Sequence, residues 1–360
     1  MSRRRKIMLS LILGTAVSAV ALYVTFSQIP LADLWDYLGT INYWWLIPCI
    51  VLGAISYVLR VIRWQVILLP VKKTSFANAY HPLIISFMMN SVLPARIGEL
   101  ARPTIFYKRE RVEFSKVLAT VGVERIFDMI TLLVLFILVL ASVQIDPEVR
   151  LTFHDQVLDK ATLETIWAGT LKAGILLIAL IAAISIPRTR GMLERAIMKL
   201  PTLFFFSGPA FREKIIEKVS VRIVAILRNL ATGFEVVKNA KHLLSCFVLS
   251  FLVWGFAVLS FYVLSLGCPG IQVNLLEITA VFIIICFFIV LPSAPGFWGL
   301  FEAGGVYGLI LFGVQATEAA GLTLTFHVFS MVPVIIAGLI SVVILGMNMR
   351  LVARETTPLT

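Results

Sequence analysis

Four sets of charged residues interrupt an otherwise apolar chain. Arg60 and Arg63 are three apart, with Trp64 beside them, near the inner end of an apolar run. Arg96, Glu99 and Arg102 step along one face after a proline. Glu124, Arg125 and Asp128 lie several residues into another apolar run, and Glu124 and Asp128, four apart, share a helix face. Glu302 follows a Pro/Gly-rich break. Arginine forks grip phosphate oxygens bidentately, and phosphate is what lipid headgroups present. The chemistry indicated is recognition of an anionic headgroup by Arg60, Arg63, Arg96, Arg102 and Arg125. Glu99, Glu124, Asp128 and Glu302 would balance those charges or carry protons. The plainer alternatives are a salt-bridge lattice that holds helices together, and snorkelling of Arg60, Arg63 and Arg102 to an interface.

Magnitudes favour pairing. A lone charge at the centre of a spanning helix costs about 2.5–3.5 kcal/mol on insertion scales. Several would sum to roughly 10 kcal/mol, comparable to the whole stability of a domain. The charges must therefore pair, face water or sit at headgroup depth.

Two breaks flank these charges. One runs from Asn90 through Pro94 and Gly98 to Glu99; the other reads Pro295-Gly296-Phe297-Trp298-Gly299 and leads to Glu302. Proline and glycine free backbone groups that hydrocarbon cannot satisfy, unless they line a polar cavity or pack within protein. Transporters place such broken helices at corresponding points of two halves to hold a substrate near the midplane.

Composition sets the class. The 360 residues are 59% hydrophobic and 14% charged, against about 25% charged in a soluble domain. The expected fold is all-α, a polytopic bundle of about eight spans with one or two re-entrant or broken helices and an inverted repeat. It forms one membrane domain over 1–360, with no room for a soluble catalytic domain. The net charge of +11 gathers in alternate loops, so it reports topology and anionic lipid rather than nucleic acid. Cys49, Cys246, Cys268 and Cys286 are scattered through apolar segments, which predicts neither a disulfide framework nor a metal site. His81, His154, His242 and His327 lack ligand spacing, and His327 reads as a satisfied lone histidine. No cofactor is expected.

Spans of about 20 residues fall near 7–27, 43–69, 117–143, 165–187, 242–266, 275–292, 297–313 and 323–348. The run 81–95 is short and broken, and reads as re-entrant. Arg3-Arg4-Arg5-Lys6 marks a cytoplasmic N-terminus before a retained first helix. Residues 28–42 and 144–164 are acidic and lie outside, whereas 70–80, 96–116 and 188–241 are basic and lie inside, as does the C-terminus with Arg350 and Arg354. The pair 275–292 and 297–313 is either two spans or one re-entrant pair entering from outside. Within 188–241 a basic amphipathic helix is expected on the cytoplasmic membrane surface.

Taken in order, Arg60-x-x-Arg63-Trp64, Asn90-x-x-x-Pro94-x-Arg96-x-Gly98-Glu99-x-x-Arg102, Glu124-Arg125-x-x-Asp128 and Pro295-Gly296-x-x-Gly299-x-x-Glu302 resemble the lysylphosphatidylglycerol synthase transmembrane-region family of flippase-like proteins. The resemblance runs from about 7 to 348. It implies a lipid-handling membrane protein. In the best-known members this region translocates aminoacylated phosphatidylglycerol and a separate soluble domain, expected to be lacking here, makes it. Other members accompany glycolipid or polyprenyl-lipid pathways. Phe297 departs from the family's Pro-Gly-Gly form. The expected function is translocation of an anionic phospholipid, an aminoacyl-phospholipid or a polyprenyl or glycolipid across the cytoplasmic membrane. With no ATP-binding motif, a gradient or substrate disequilibrium would drive it. The alternatives are an intramembrane headgroup transferase and a non-catalytic accessory subunit. Expected partners are anionic membrane lipids, with a homo-oligomer or an envelope-synthesis partner beside them.

Overall fold

The structure is a computed structural model. It describes residues 3–27, 29–93, 96–142, 151–153, 156–158, 186–199, 219–233, 239–291 and 293–347, with isolated positions between 172 and 184; side chains are described from Gly14 onward. Among these residues are twelve α-helices and one short antiparallel hairpin, Leu151–Phe153 with Gln156–Leu158. The helices are α1 (Arg3–Phe26), α2 (Leu31–Thr40), α3 (Leu46–Leu68), α4 (Phe76–Val92), α5 (Gly98–Glu110) and α6 (Phe114–Ser142). They continue as α7 (Pro187–Lys199), α8 (Val221–Gly233), α9 (Ala240–Ser265), α10 (Leu275–Phe288), α11 (Leu300–Ile310) and α12 (Ala316–Ile344). The chain is thus a helical membrane bundle, as its composition requires.

Among the described residues, four helices are long and apolar enough to cross a bilayer: Tyr43–Leu68, Phe114–Ser142, Ala240–Ser265 and Ala316–Ile344. α1 meets α2 at 81°. The expected span at 165–187 lies almost wholly outside the described residues, as do Pro94, Arg350 and Arg354.

The remaining four core helices are too short to cross alone, and they pair. α10 has 14 residues and α11 has 11, about 21 and 16 Å against a hydrocarbon core of about 30 Å. They run antiparallel: a Cβ on Gly304 would sit 2.8 Å from Ile285 Cα, and one on Gly308 would sit 3.0 Å from Val281 Cγ1. Of the two arrangements open to 275–313, these lengths and this packing favour a re-entrant pair. α4 and α5, with 17 and 13 residues, form the other hairpin. Asn78 Nδ2 donates to Glu110 Oε1 at 2.5 Å and Lys72 lies 2.6 Å from Glu110, which ties its two open ends together. A Cβ on Gly98 would collide with the Ser86 carbonyl, so only glycine lets α5 begin against α4.

The two hairpins meet at their tips. Arg96 Nη2 donates to the Ile289 carbonyl at 2.6 Å, and its guanidinium lies over the Phe297 ring at 5.4 Å. A Cβ on Gly296 would stand 3.0 Å from the Ser91 carbonyl. The expected face shared by Arg96, Glu99 and Arg102 is corrected here. Arg96 precedes α5, in a left-handed turn at φ +52, so the helical period does not reach it.

Around the hairpins, α3 packs along α9. Without water to drive apolar association, small side chains and interhelical hydrogen bonds hold such pairs. Ser56 Oγ donates to the Val253 carbonyl at 2.8 Å, and Ser260 Oγ to the Cys49 carbonyl at 2.8 Å. Of the amphipathic segment at 188–241, α7 and α8 are described. Their apolar Met192, Ile223 and Ile226 are exposed, and Arg228 donates to Glu194 at 2.8 Å. That hydrogen bond and its charge hold the Glu194 carboxyl below the usual range.

The glycine seam of the second hairpin yields a stability test. Gly304→Val forces α11 off the α10 backbone and should lower stability by about 1–3 kcal/mol. Gly255→Ala, where a Cβ meets nothing within 4 Å, should leave stability equal or raise it by roughly 0.5–1 kcal/mol. Thermal unfolding in detergent micelles compares the two.

Candidate functional site

Helical spacing on three elements builds the site. On α3 the three-residue step puts Arg60 and Arg63 on one face. On α6 the four-residue step does the same for Glu124 and Asp128. α5 presents Arg102 one turn into its run. These faces converge in the interior: Arg63 and Glu124 are fully buried, and Arg102 is 1% exposed.

Glu124 is the hub. Its Oε2 accepts from Arg102 Nη1 at 2.6 Å, and its Oε1 accepts from Arg125 Nη2 at 3.0 Å and Arg63 Nη2 at 3.4 Å. Asp128 is the second acceptor. It lies 2.7 Å from Arg63 Nη1, 3.2 Å from Arg125 Nη1 and 4.0 Å from Arg60 Nη1. α9 completes the shell: Ser250 Oγ accepts from Arg63 Nη1 at 2.8 Å, and Trp254 Nε1 donates to Asp128 Oδ1 at 3.1 Å. Aromatic faces cover the guanidinium planes. Arg60 lies over Trp254 at 5.1 Å, Arg102 lies over Trp64 at 5.1 Å, and Phe87 of α4 touches both. Trp64 is fixed by its own Nε1 bond to Thr120 Oγ1 at 3.1 Å.

The charges do not cancel. Four guanidiniums (Arg60, Arg63, Arg102, Arg125) meet two carboxylates, an excess of two positive charges. Glu99, partly buried, acts electrostatically on Arg102 and Arg125 and reduces that excess by one. The Nε–H groups of Arg63, Arg102 and Arg125 have no hydrogen-bond partner among the described residues. Uncompensated buried charge costs several kcal/mol even after relaxation. The arrangement is therefore suited to an anion. Arg63 and Arg102 are sealed in the lattice, whereas the Arg125 side chain is 34% exposed and that of Arg60 10%.

Arg60 also lines a cavity of about 300 Å³ between α3, α9 and α12. Its walls are otherwise largely apolar, with Tyr57, Phe282, Phe301, Phe326 and Phe329 among them. A charged group in the wall of a largely apolar cavity matches an amphiphile.

The second break is a separate locus. Gly296 and Gly299 take φ +70 and +87, and Phe297, where the resemblance expects a second glycine, keeps a left-handed φ of +64. Pro295 opens the short turn that contains them. Glu302 is fully buried. Its Oε2 accepts the Gly299 N–H at 2.6 Å, and its Oε1 lies 2.5 Å from His327 Nδ1. His327 Nε2 lies 2.8 Å from the Gly296 carbonyl.

The structure thus joins Arg60, Arg63, Arg102, Arg125, Glu124 and Asp128, with Glu99 at the edge. Arg96 and Glu302 stand apart, at the hairpin tips. Asn90 lies beside Gly98 with its Oδ1 buried and unbonded. Ser250, Trp254 and Phe87 were missed as site residues. Ser250 and Trp254, four apart in an apolar run, carried a usable signal; Phe87 carried none. His327, which spacing gives as a lone histidine, pairs with Glu302, a long-range contact that spacing does not reveal. No group of three His, Cys, Asp or Glu side chains suited to a metal occurs among the described residues.

A family model described as the lysylphosphatidylglycerol synthase TM region matches residues 11–338. The UPF0104 membrane protein PH1989 of Pyrococcus horikoshii is 24% identical over 297 residues, covering 81% of this chain and 84% of that protein.

The hub predicts a cycle. Glu124→Gln strands Arg102 and leaves Arg63 and Arg125 to Asp128 alone, and should cost about 3–5 kcal/mol. Adding Arg102→Gln should restore part of that loss, a coupling of about 0.5–3 kcal/mol. Unfolding of the single and double variants in detergent measures it; strict additivity contradicts the hub.

Proposed function

The chain belongs to the lysylphosphatidylglycerol synthase transmembrane-region family, and on that premise we propose that it is a lipid translocase of the cytoplasmic membrane. It receives the anionic headgroup of a lipid within the bilayer and carries it across. The observation that supports this most is the charge excess of the arginine cluster, four guanidiniums against two carboxylates. A lattice built only for stability has no use for surplus buried charge, because neutral pairing holds helices at lower cost.

The roles divide by exposure. Arg63 and Arg102 are locked by Glu124 and Asp128 and set the positive potential. Arg125 and Arg60 retain exposure and meet the phosphate, whose oxygens suit the guanidinium fork. The aromatic-walled cavity beside Arg60 takes apolar chain. Glu99 trims the positive excess at the rim. Two short hairpins touching tip to tip form the kind of junction at which alternating access occurs, since irregular backbone at membrane depth is tolerated only where protein or a polar cavity covers it. The N- and C-termini are assigned to the cytoplasm from the basic loops, which puts the α4–α5 hairpin on the cytoplasmic side and the α10–α11 hairpin on the outer side.

Transbilayer movement of a labelled anionic phospholipid in reconstituted vesicles tests this. Each of Arg60→Gln and Arg125→Gln removes a charge-assisted contact worth about 1.5–3 kcal/mol. Each should slow transfer by about tenfold to a hundredfold while the protein stays folded. Transfer no faster than in protein-free vesicles contradicts the proposal.

A further inference from the structure

The Glu302–His327 pair binds both glycines of the second break. Glu302 Oε2 holds the Gly299 N–H, and His327 Nε2 faces the Gly296 carbonyl. A carbonyl oxygen only accepts, so Nε2 carries a hydrogen. The opposite nitrogen, Nδ1, stands 2.5 Å from Glu302 Oε1. At that separation a proton must lie between them, because two lone pairs would otherwise oppose each other. Drawn as imidazolium and carboxylate or as imidazole and carboxylic acid, the pair holds one proton beyond the Nε2 hydrogen and is neutral. Both side chains are at most 2% exposed.

Loss of that proton changes everything local. The pair gains a net negative charge in a buried site, and two acceptors face one another. Separation relieves both penalties, and separation frees the Gly296 carbonyl or the Gly299 N–H, or both. Those residues hold the left-handed turn that ends the hairpin. The break is otherwise held by Ser18 Oγ, which accepts the Ala294 N–H at 2.7 Å, and by Arg96 on the Ile289 carbonyl.

We propose that Glu302 and His327 form a proton-binding site that latches the α10–α11 hairpin: closed with the proton bound, released when the proton leaves to solvent. The site is distinct from the arginine cluster. Phe301 stacks on the His327 ring at 4.1 Å and also lines the cavity that Arg60 borders, so release at the latch alters a wall of that cavity. Only the use of the latch as the energy-coupling step rests on the translocase reading; the latch itself does not.

Other titratable groups on the packed elements do not enter the pair. Arg96 reaches the tip but bonds the Ile289 carbonyl, and Arg60 is engaged with Asp128. α10 carries Glu277 and Cys286, and Glu277 caps its own helix through the Asn274 N–H. α11 adds Tyr307, and α12 adds Glu318 near its start. From α2 come Asp33, Asp36 and Tyr37, the last bonded to the Pro269 carbonyl; Tyr23 stands on α1 and His81 on α4. Among the described residues, none of Glu277, Cys286, Glu318, Asp33, Asp36, Tyr37, Tyr23 and His81 has a hydrogen bond or ion pair to Glu302 or His327.

Purified full-length Ser293→Cys protein in detergent, labelled with a maleimide and quantified by peptide mass spectrometry, reports opening of the break. Dividing its rate by that of an exposed reference, Ser27→Cys, cancels the pH dependence of thiol chemistry. The ratio should rise with pH by up to about tenfold per unit, the slope for one proton. Glu302→Gln supplies a permanent donor in place of the proton while its remaining oxygen accepts the Gly299 N–H, so it should give a low, flat ratio. A flat ratio in the parent overturns the latch, as does an unchanged slope in the folded Glu302→Gln variant. A latch that titrates in a protein that moves no lipid overturns the translocase reading alone, and transfer without a titrating latch does the reverse.

Discussion

Desolvation of the Arg63–Glu124–Arg102 triad is the constraint on which the rest depends. Three side chains that are at most 1% exposed bring α3, α6 and α5 to one point, and none is tolerable there without a charged partner. Because hydrocarbon and packed protein offer no alternative partner, the geometry is fixed far more tightly than apolar contact would fix it. Lipid tails are as apolar as leucine, so apolar burial alone says little about which helix faces which. The ionic hub, together with the Ser56 and Ser260 bonds between α3 and α9, supplies that missing specificity.

The hairpins follow from the same constraint. Breaking a helix at membrane depth exposes backbone groups, and each tip covers those of the other. Arg96 donates to Ile289, while Gly296 comes close to Ser91 because it lacks a side chain. Phe297 shows how far the arrangement is imposed, since it holds a left-handed conformation that costs a non-glycine residue roughly 1–2 kcal/mol. Its ring is placed under the Arg96 guanidinium, a favourable contact that offsets part of that cost. One hairpin therefore delivers Arg102 to the cluster, and the other delivers Glu302 to His327.

Much of this was legible in the residues. The period of a helix put Arg60 with Arg63 and Glu124 with Asp128, and the cost of lone charges with interleaved signs favoured pairing over facing water or sitting at headgroup depth. The short, broken run 81–95 reads as re-entrant, but its partner α5 lies in the stretch 96–116 that its basic charge marks only as an inside segment, and 275–313 fits two spans as well as one re-entrant pair. The period failed where the helix did: Arg96 sits in a turn, so its side chain leaves the face that Glu99 and Arg102 suggested. Exposure was also illegible. Spacing cannot separate Arg63, sealed in the lattice, from Arg125, which keeps a free edge. His327 lies 25 residues from Glu302, and only the folded path of α11 into α12 brings them together.

The central claim is that surplus positive charge in the buried cluster is neutralised by an anionic lipid. Native mass spectrometry of the protein in mild detergent, with phosphatidylglycerol and phosphatidylethanolamine of matched chains in competition, tests it most directly. The account predicts that the anionic lipid binds at least about tenfold more tightly, the worth of one charge-assisted hydrogen bond. It also predicts that the preference disappears when Arg60 and Arg125 are both changed to glutamine. Equal affinities for the two lipids, or a preference that survives the double substitution, would contradict it.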